Sequence, residues 1–132
     1  MTDAPLVGLP DDTLRAVSVV LLSAAFVGAG AMHFVRPQVF EAIVPPWLPA
    51  PGALVATSGV AEVLGGIGLV VPALRPWAGW GLVALLVAVF PANVYMAQEW
   101  ERFAGLAPRW ALLARLPLQA VLIGWVFWAS RP

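Results

Sequence analysis

Four stretches of about 20 consecutive, mostly apolar residues recur along this chain, and nothing in the sequence constrains its fold more. A helix needs roughly that many to cross the hydrocarbon core of a bilayer. The stretches run over residues 14–34, 53–71, 77–97 and 111–129, and Pro10, Pro37, Pro51-Gly52, Pro72, Pro76, Pro108 and Pro132 punctuate them. Proline cannot continue a helix from within without losing a backbone donor, so these positions read as ends. Only residues 72–76 separate the second stretch from the third. Those two must therefore be antiparallel neighbours.

A chain of 132 residues has room for one domain, here 1–132, but not for a core large enough to hide its own apolar content. Hydrophobic residues make up 61% and charged residues 11%, with a mean hydropathy of +0.89. Soluble chains average about 45–50% and about 25%. Lipid is where the excess belongs. The fold class that follows is all-α, an integral membrane four-helix bundle.

The aromatic rings support that count, because Trp and Tyr favour the membrane–water interface. Trp77 and Trp80 open the third stretch and Trp125 and Trp128 close the fourth, all at the face that holds the termini. Trp47, Tyr95, Trp100 and Trp110 fall at the opposite face. Residues 17–31 could instead be the apolar part of a signal peptide with Ala29-Gly30-Ala31 as its cleavage site, but Asp3, Asp11 and Asp12 make the leader acidic. A retained span is the better reading. Segment 34–51 is apolar yet holds five prolines, so it is expected to lie in the interface with Phe40, Ile43, Val44 and Trp47 dipping in. Orientation is a tie: Arg15, Arg75 and Arg131 mark one face, Arg36, Arg102 and Arg109 the other.

The net charge is zero, which gives no footprint for nucleic acid. There is no cysteine, which excludes disulfides, thiolate metal sites and thiol relays. One His and one Glu without such neighbours make a poor metal site, so none is expected.

Ionisable groups inside a spanning helix are costly and tend to face the bundle or water. Here the polar groups are His33, Glu62, Asn93, Arg115 and Gln119. Counted from the face opposite the termini at about 1.5 Å per residue, His33 lies in the last turn of its span. By the same count Asn93 and Arg115 are about 6 Å deep, Gln119 about 12 Å and Glu62 roughly 13 Å. All five share one half of the bilayer, as a site between bundled helices would require. Ala25, Ala29 and His33, and likewise Ser58, Glu62 and Gly66, recur every fourth residue; small neighbours on a polar face suggest helix–helix contact. Pro91 and Pro117 lie close to Asn93 and Arg115, and each frees a carbonyl four residues earlier, Val87 and Leu113. A plain structural reading stands beside the functional one. On that reading Glu62 and Arg115 neutralise each other, and Asn93 and Gln119 serve only as interhelical glue.

Five ordered segments resemble the DoxX-like membrane proteins. They are Gly30-Ala31-Met32-His33-Phe34 with Pro37 and Phe40; Val44-Pro45-Pro46-Trp47-Leu48-Pro49; Ser58 through Gly66; Phe90-Pro91-Ala92-Asn93 with Met96-Ala97; and Arg115-Leu116-Pro117-Leu118-Gln119 with Trp125. They extend over about residues 28–125. The resemblance implies a small bacterial four-helix protein of the inner (plasma) membrane, associated with redox enzymes. It implies little about activity, and the absence of cysteine rules out carrying over thiol exchange. Three readings follow. The leading one is a subunit that binds a lipid-soluble molecule, with a quinone as the cofactor it would suit, or docks a membrane oxidoreductase. His33 and Arg115 would then hold a carbonyl while Glu62 handles protons. The others are a proton-coupled transporter working as a homodimer and a scaffold without chemistry. No phosphate loop, triad or second carboxylate beside Glu62 points to autonomous catalysis.

Overall fold

The computed structural model describes residues 3–132. Five helices and no strand occur among the described residues: α1 (Thr13–Val35), α2 (Pro37–Ala42), α3 (Pro51–Leu69), α4 (Arg75–Gln98) and α5 (Arg109–Ser130). The four longer ones are long and apolar enough to cross a membrane, and this is a multi-pass membrane protein. Their ends fall within two residues of the apolar stretches, because the flanking breakers act at the ends. Pro37, Pro51 and Pro76 occupy the first turns of α2, α3 and α4, where a missing N–H costs nothing. Asp12 caps α1 by accepting from the Arg15 backbone N–H at 2.9 Å.

α1 packs chiefly on α3, α3 on α4 and α4 on α5, while α5 meets α1 more lightly. The α1–α3 crossing is close because glycine lines it. A Cβ placed on Gly30 would stand 2.8 Å from the Gly59 carbonyl oxygen, and one on Gly66 would stand 3.0 Å from that of Ser23. The Ser23 hydroxyl donates across the gap to the Gly66 carbonyl at 2.7 Å. Small residues and interhelical hydrogen bonds are what hold helices together in lipid, where no hydrophobic drive separates one apolar neighbour from another. The face of α1 that does this differs from the expected one. Phe26, Gly30 and His33 are buried, whereas Ala25 and Ala29 look outward. A helix turns 100° per residue, so a stripe read one residue off lands on the outer side.

The face with the termini is tied down by two arginines. Arg75 donates from Nε to the Leu69 carbonyl at 2.6 Å, at the end of α3, and from Nη2 to the carbonyl of Gly8. The Gly8 N–H in turn donates to the Val70 carbonyl at 3.0 Å. Arg15 donates to the carbonyls of Ala129 (3.4 Å) and Arg131, joining α1 to α5. Below them lies the larger apolar core, which includes Leu22, Phe26, Leu69, Leu82 and Val126. A second, smaller core of Met96, Phe103 and Leu112 closes the opposite face. Along α4 the first core uses Leu82 and Leu86 and the second Met96. The stretch between them borders a cavity.

Candidate functional site

The proline-rich link after α1 shapes one side of that cavity. Pro37 starts the six-residue helix α2, and Ile43 ends it. Phe40 stacks on the imidazole of His33, with ring centroids 3.8 Å apart and planes 20° from parallel. Ile43, Val44, Pro45 and Leu48 line the cavity from the same side. Three of the four residues expected to dip into lipid, Phe40, Ile43 and Val44, therefore cover a cavity instead. Trp47 alone faces outward, 71% exposed. Five prolines exclude a spanning helix, but they allow a compact cap.

The cavity holds about 370 Å³ and is bounded by α3, α4, the α2 link and single side chains of α1 and α5. Thr57 and Ala61 of α3 face Leu85, Ala88 and Ala92 of α4 across it. Toward the termini the same two helices close up: a Cβ on Gly68 would stand 2.7 Å from that of Ala78. Thr57 and Ala88 are exposed although they belong to helices that cross the membrane. The opening thus faces sideways between α3 and α4, where lipid would be.

Four of the five polar residues singled out in the sequence, His33, Glu62, Asn93 and Arg115, border this cavity. Only His33 and Glu62 pair with each other; Asn93 is held by Gln119, and Arg115 stands apart. His33, 8% exposed, places Nδ1 2.7 Å from the Ala29 carbonyl oxygen and 3.2 Å from Oε2 of Glu62. A carbonyl can only accept, so Nδ1 carries the hydrogen and gives it to Ala29. Glu62 Oε2 lies off that direction; it is fully buried and receives no hydrogen bond. The carboxylate therefore sits beside His33, not Arg115. Arg115 forms no ion pair among the described residues, and its side chain is exposed at the cavity edge. It begins in the second turn of α5, close enough to the interface for a long stem to reach it.

Gln119 does not line the cavity. It is buried and acts from behind, its Oε1 accepting from Asn93 Nδ2 while its Nε2 donates to the carbonyl of Leu86. The two amides join α4 to α5 and fix Asn93 at the wall. Pro91 was expected to free the carbonyl of Val87; the carbonyl that takes the extra donor is that of Leu86. Leu86 is on the buried side of α4 and Val87 on its outer side, 58% exposed, which puts Leu86 within reach of α5. Among the described residues no group of three or more His, Asp and Glu side chains is placed to hold a metal ion.

A family model described as a domain of unknown function (DUF8561) matches residues 22–130. The chain belongs to that family. No curated protein and no solved structure matches it. The matched residues include all of the cavity-lining side chains of this DUF8561 member, from His33 on α1 to Arg115 on α5. Its Phe40 was expected to dip into the interface, and its stacking on His33 was not foreseen. A single aromatic in a proline-rich link carries no periodic signal, and only the fold brings it over the imidazole.

Proposed function

We propose that this protein binds a small lipid-soluble molecule, with a quinone as the leading candidate, in the cavity between α3 and α4. The observation that carries the reading is the cavity itself. Its volume of about 370 Å³ suits one ring system and part of a tail. Apolar walls with a few fixed polar groups are the usual make-up of small-molecule sites. The sideways opening would admit a ligand already dissolved in the bilayer, and His33, Glu62, Asn93 and Arg115 would orient its head. On this reading the protein is a small subunit in a bacterial plasma membrane that serves a membrane oxidoreductase, in keeping with its resemblance to the DoxX-like proteins. A scaffold role accounts for Asn93 and Gln119, but it leaves the buried Glu62 oxygen without a purpose.

The test is titration of purified protein with short-chain ubiquinone and menaquinone analogues in both redox forms. Saturable binding is expected, with an affinity changed by Glu62→Gln for at least one form. Purely partition-like uptake, indifferent to Glu62→Gln in either form, would rule the reading out.

A further inference from the structure

The hydrogen-bond inventory of the cavity narrows what its ligand must bring. On the α1–α3 wall, Nδ1 of His33 spends its hydrogen on the Ala29 carbonyl at 2.7 Å. In a neutral imidazole that leaves Nε2 as an acceptor. Beside it, Oε2 of Glu62 is buried without any donor, although Nδ1 is only 3.2 Å away. Nε2 of His33 and the carboxylate oxygen of Glu62 therefore accept; of the two hydroxyls on the same wall, Ser58 and Thr57, that of Thr57 is given to the Ala53 carbonyl at 2.8 Å. An unmet acceptor in an apolar setting costs free energy until a donor arrives. The α4–α5 side differs in kind. Arg115 has only donors to offer and no carboxylate partner among the described residues. Asn93 already gives one Nδ2 hydrogen to Gln119, which fixes its amide and leaves its Oδ1 as an acceptor on this side.

A ligand complementary to this pattern carries a hydroxyl for one wall and an acceptor oxygen for the other. We infer that the cavity selects the hydroxyl-bearing form of a lipid-soluble ring, a quinol or related phenol, whose O–H is donated to the His33–Glu62 wall while a second oxygen meets Arg115. A quinone offers only carbonyl oxygens, which would face two acceptors on that wall. The inference rests on the proposed reading of the cavity as a lipid-soluble ligand site and specifies the chemistry of its occupant. Phe40 contributes by stacking on the imidazole, which fixes its plane.

The experiment compares three probes on the unmodified protein in lipid nanodiscs: decyl-ubiquinol kept reduced, decyl-ubiquinone, and the O-methylated ether of the quinol. The quinol is expected to bind at least about tenfold more tightly than either of the others, the equivalent of about 1.4 kcal/mol. In Glu62→Gln, which puts an amide donor on the wall, the quinol should lose most of that advantage while the quinone keeps or gains affinity. Equal affinities, or a preference for the quinone or the ether, would overturn the inference and leave the broader ligand reading in place. No saturable binding of any probe would overturn both.

Discussion

Gly59 shows how little space separates the site from the helix crossing. A Cβ there would stand 2.8 Å from Cβ of His33 and 2.9 Å from the Phe34 ring. Gly59→Ala should therefore lower stability by about 1–3 kcal/mol, the usual cost of overpacking, and push the imidazole off Phe40. Gly28, with nothing within 4 Å of an added Cβ, is the control. Thermal unfolding in detergent should show a lower midpoint for Gly59→Ala and no loss for Gly28→Ala. The Asn93–Gln119 pair makes a second prediction at this scale. Gln119→Leu strands both Asn93 and the Leu86 carbonyl, and a double-mutant cycle with Asn93→Leu should give a coupling of about 0.6 kcal/mol, with about 1.7 as a ceiling. Additive losses would mean that the amides do not act on each other. The identity of these polar residues was legible in the sequence, because each interrupts an apolar span. Their pairing was not. Glu62 reaches His33 in place of Arg115 because α3 packs directly on α1, a neighbour relation that no spacing within one helix encodes.

At the scale of elements, the α3–α4 pair decides what the molecule can admit. Arg75 ties the connection between these helices to the N-terminal segment, and Gly65 and Gly68 let their first turns beyond it nest against Leu82 and Ala78. Farther along, the same helices border the cavity, with Ala88 exposed at its mouth. Ala88→Trp should fill the opening without disturbing any buried contact. The expected result is a loss of at least about tenfold in affinity for a quinol analogue, with an unchanged unfolding temperature. Unchanged affinity would place the entrance elsewhere. Helix ends were readable to within a residue or two, since proline in a first turn leaves a sharp mark. The cap formed by α2 was not. The composition of segment 34–51 excluded a spanning helix, but its inward turn depends on the ring of Phe40 meeting His33, a contact visible only in three dimensions.

For the whole molecule, four spanning helices place both termini on one side of the membrane. These 132 residues include no cysteine, so single-cysteine labelling of this chain needs no prior substitution. Asp12→Cys and Arg131→Cys should react with an impermeant maleimide from the same side of sealed vesicles, and Leu106→Cys from the other. Labelling of Asp12→Cys and Arg131→Cys from opposite sides would contradict the topology. Apolar length and the breakers between spans made this architecture legible, because the bilayer leaves few other ways to satisfy a backbone. The cavity was not legible. It arises from where α3 and α4 part, between one core toward the termini and another around Met96, Phe103 and Leu112.

The central claim, that this gap takes up a lipid-soluble molecule, is tested most directly by photocrosslinking. A quinol analogue bearing a diazirine would be irradiated with the protein in a bilayer and the modified residues identified by mass spectrometry. Labels on Thr57, Ala61 and Ala88, removed by excess unlabelled analogue, are the predicted result. Labels confined to lipid-facing positions such as Leu64 and Val87, indifferent to the competitor, would contradict it.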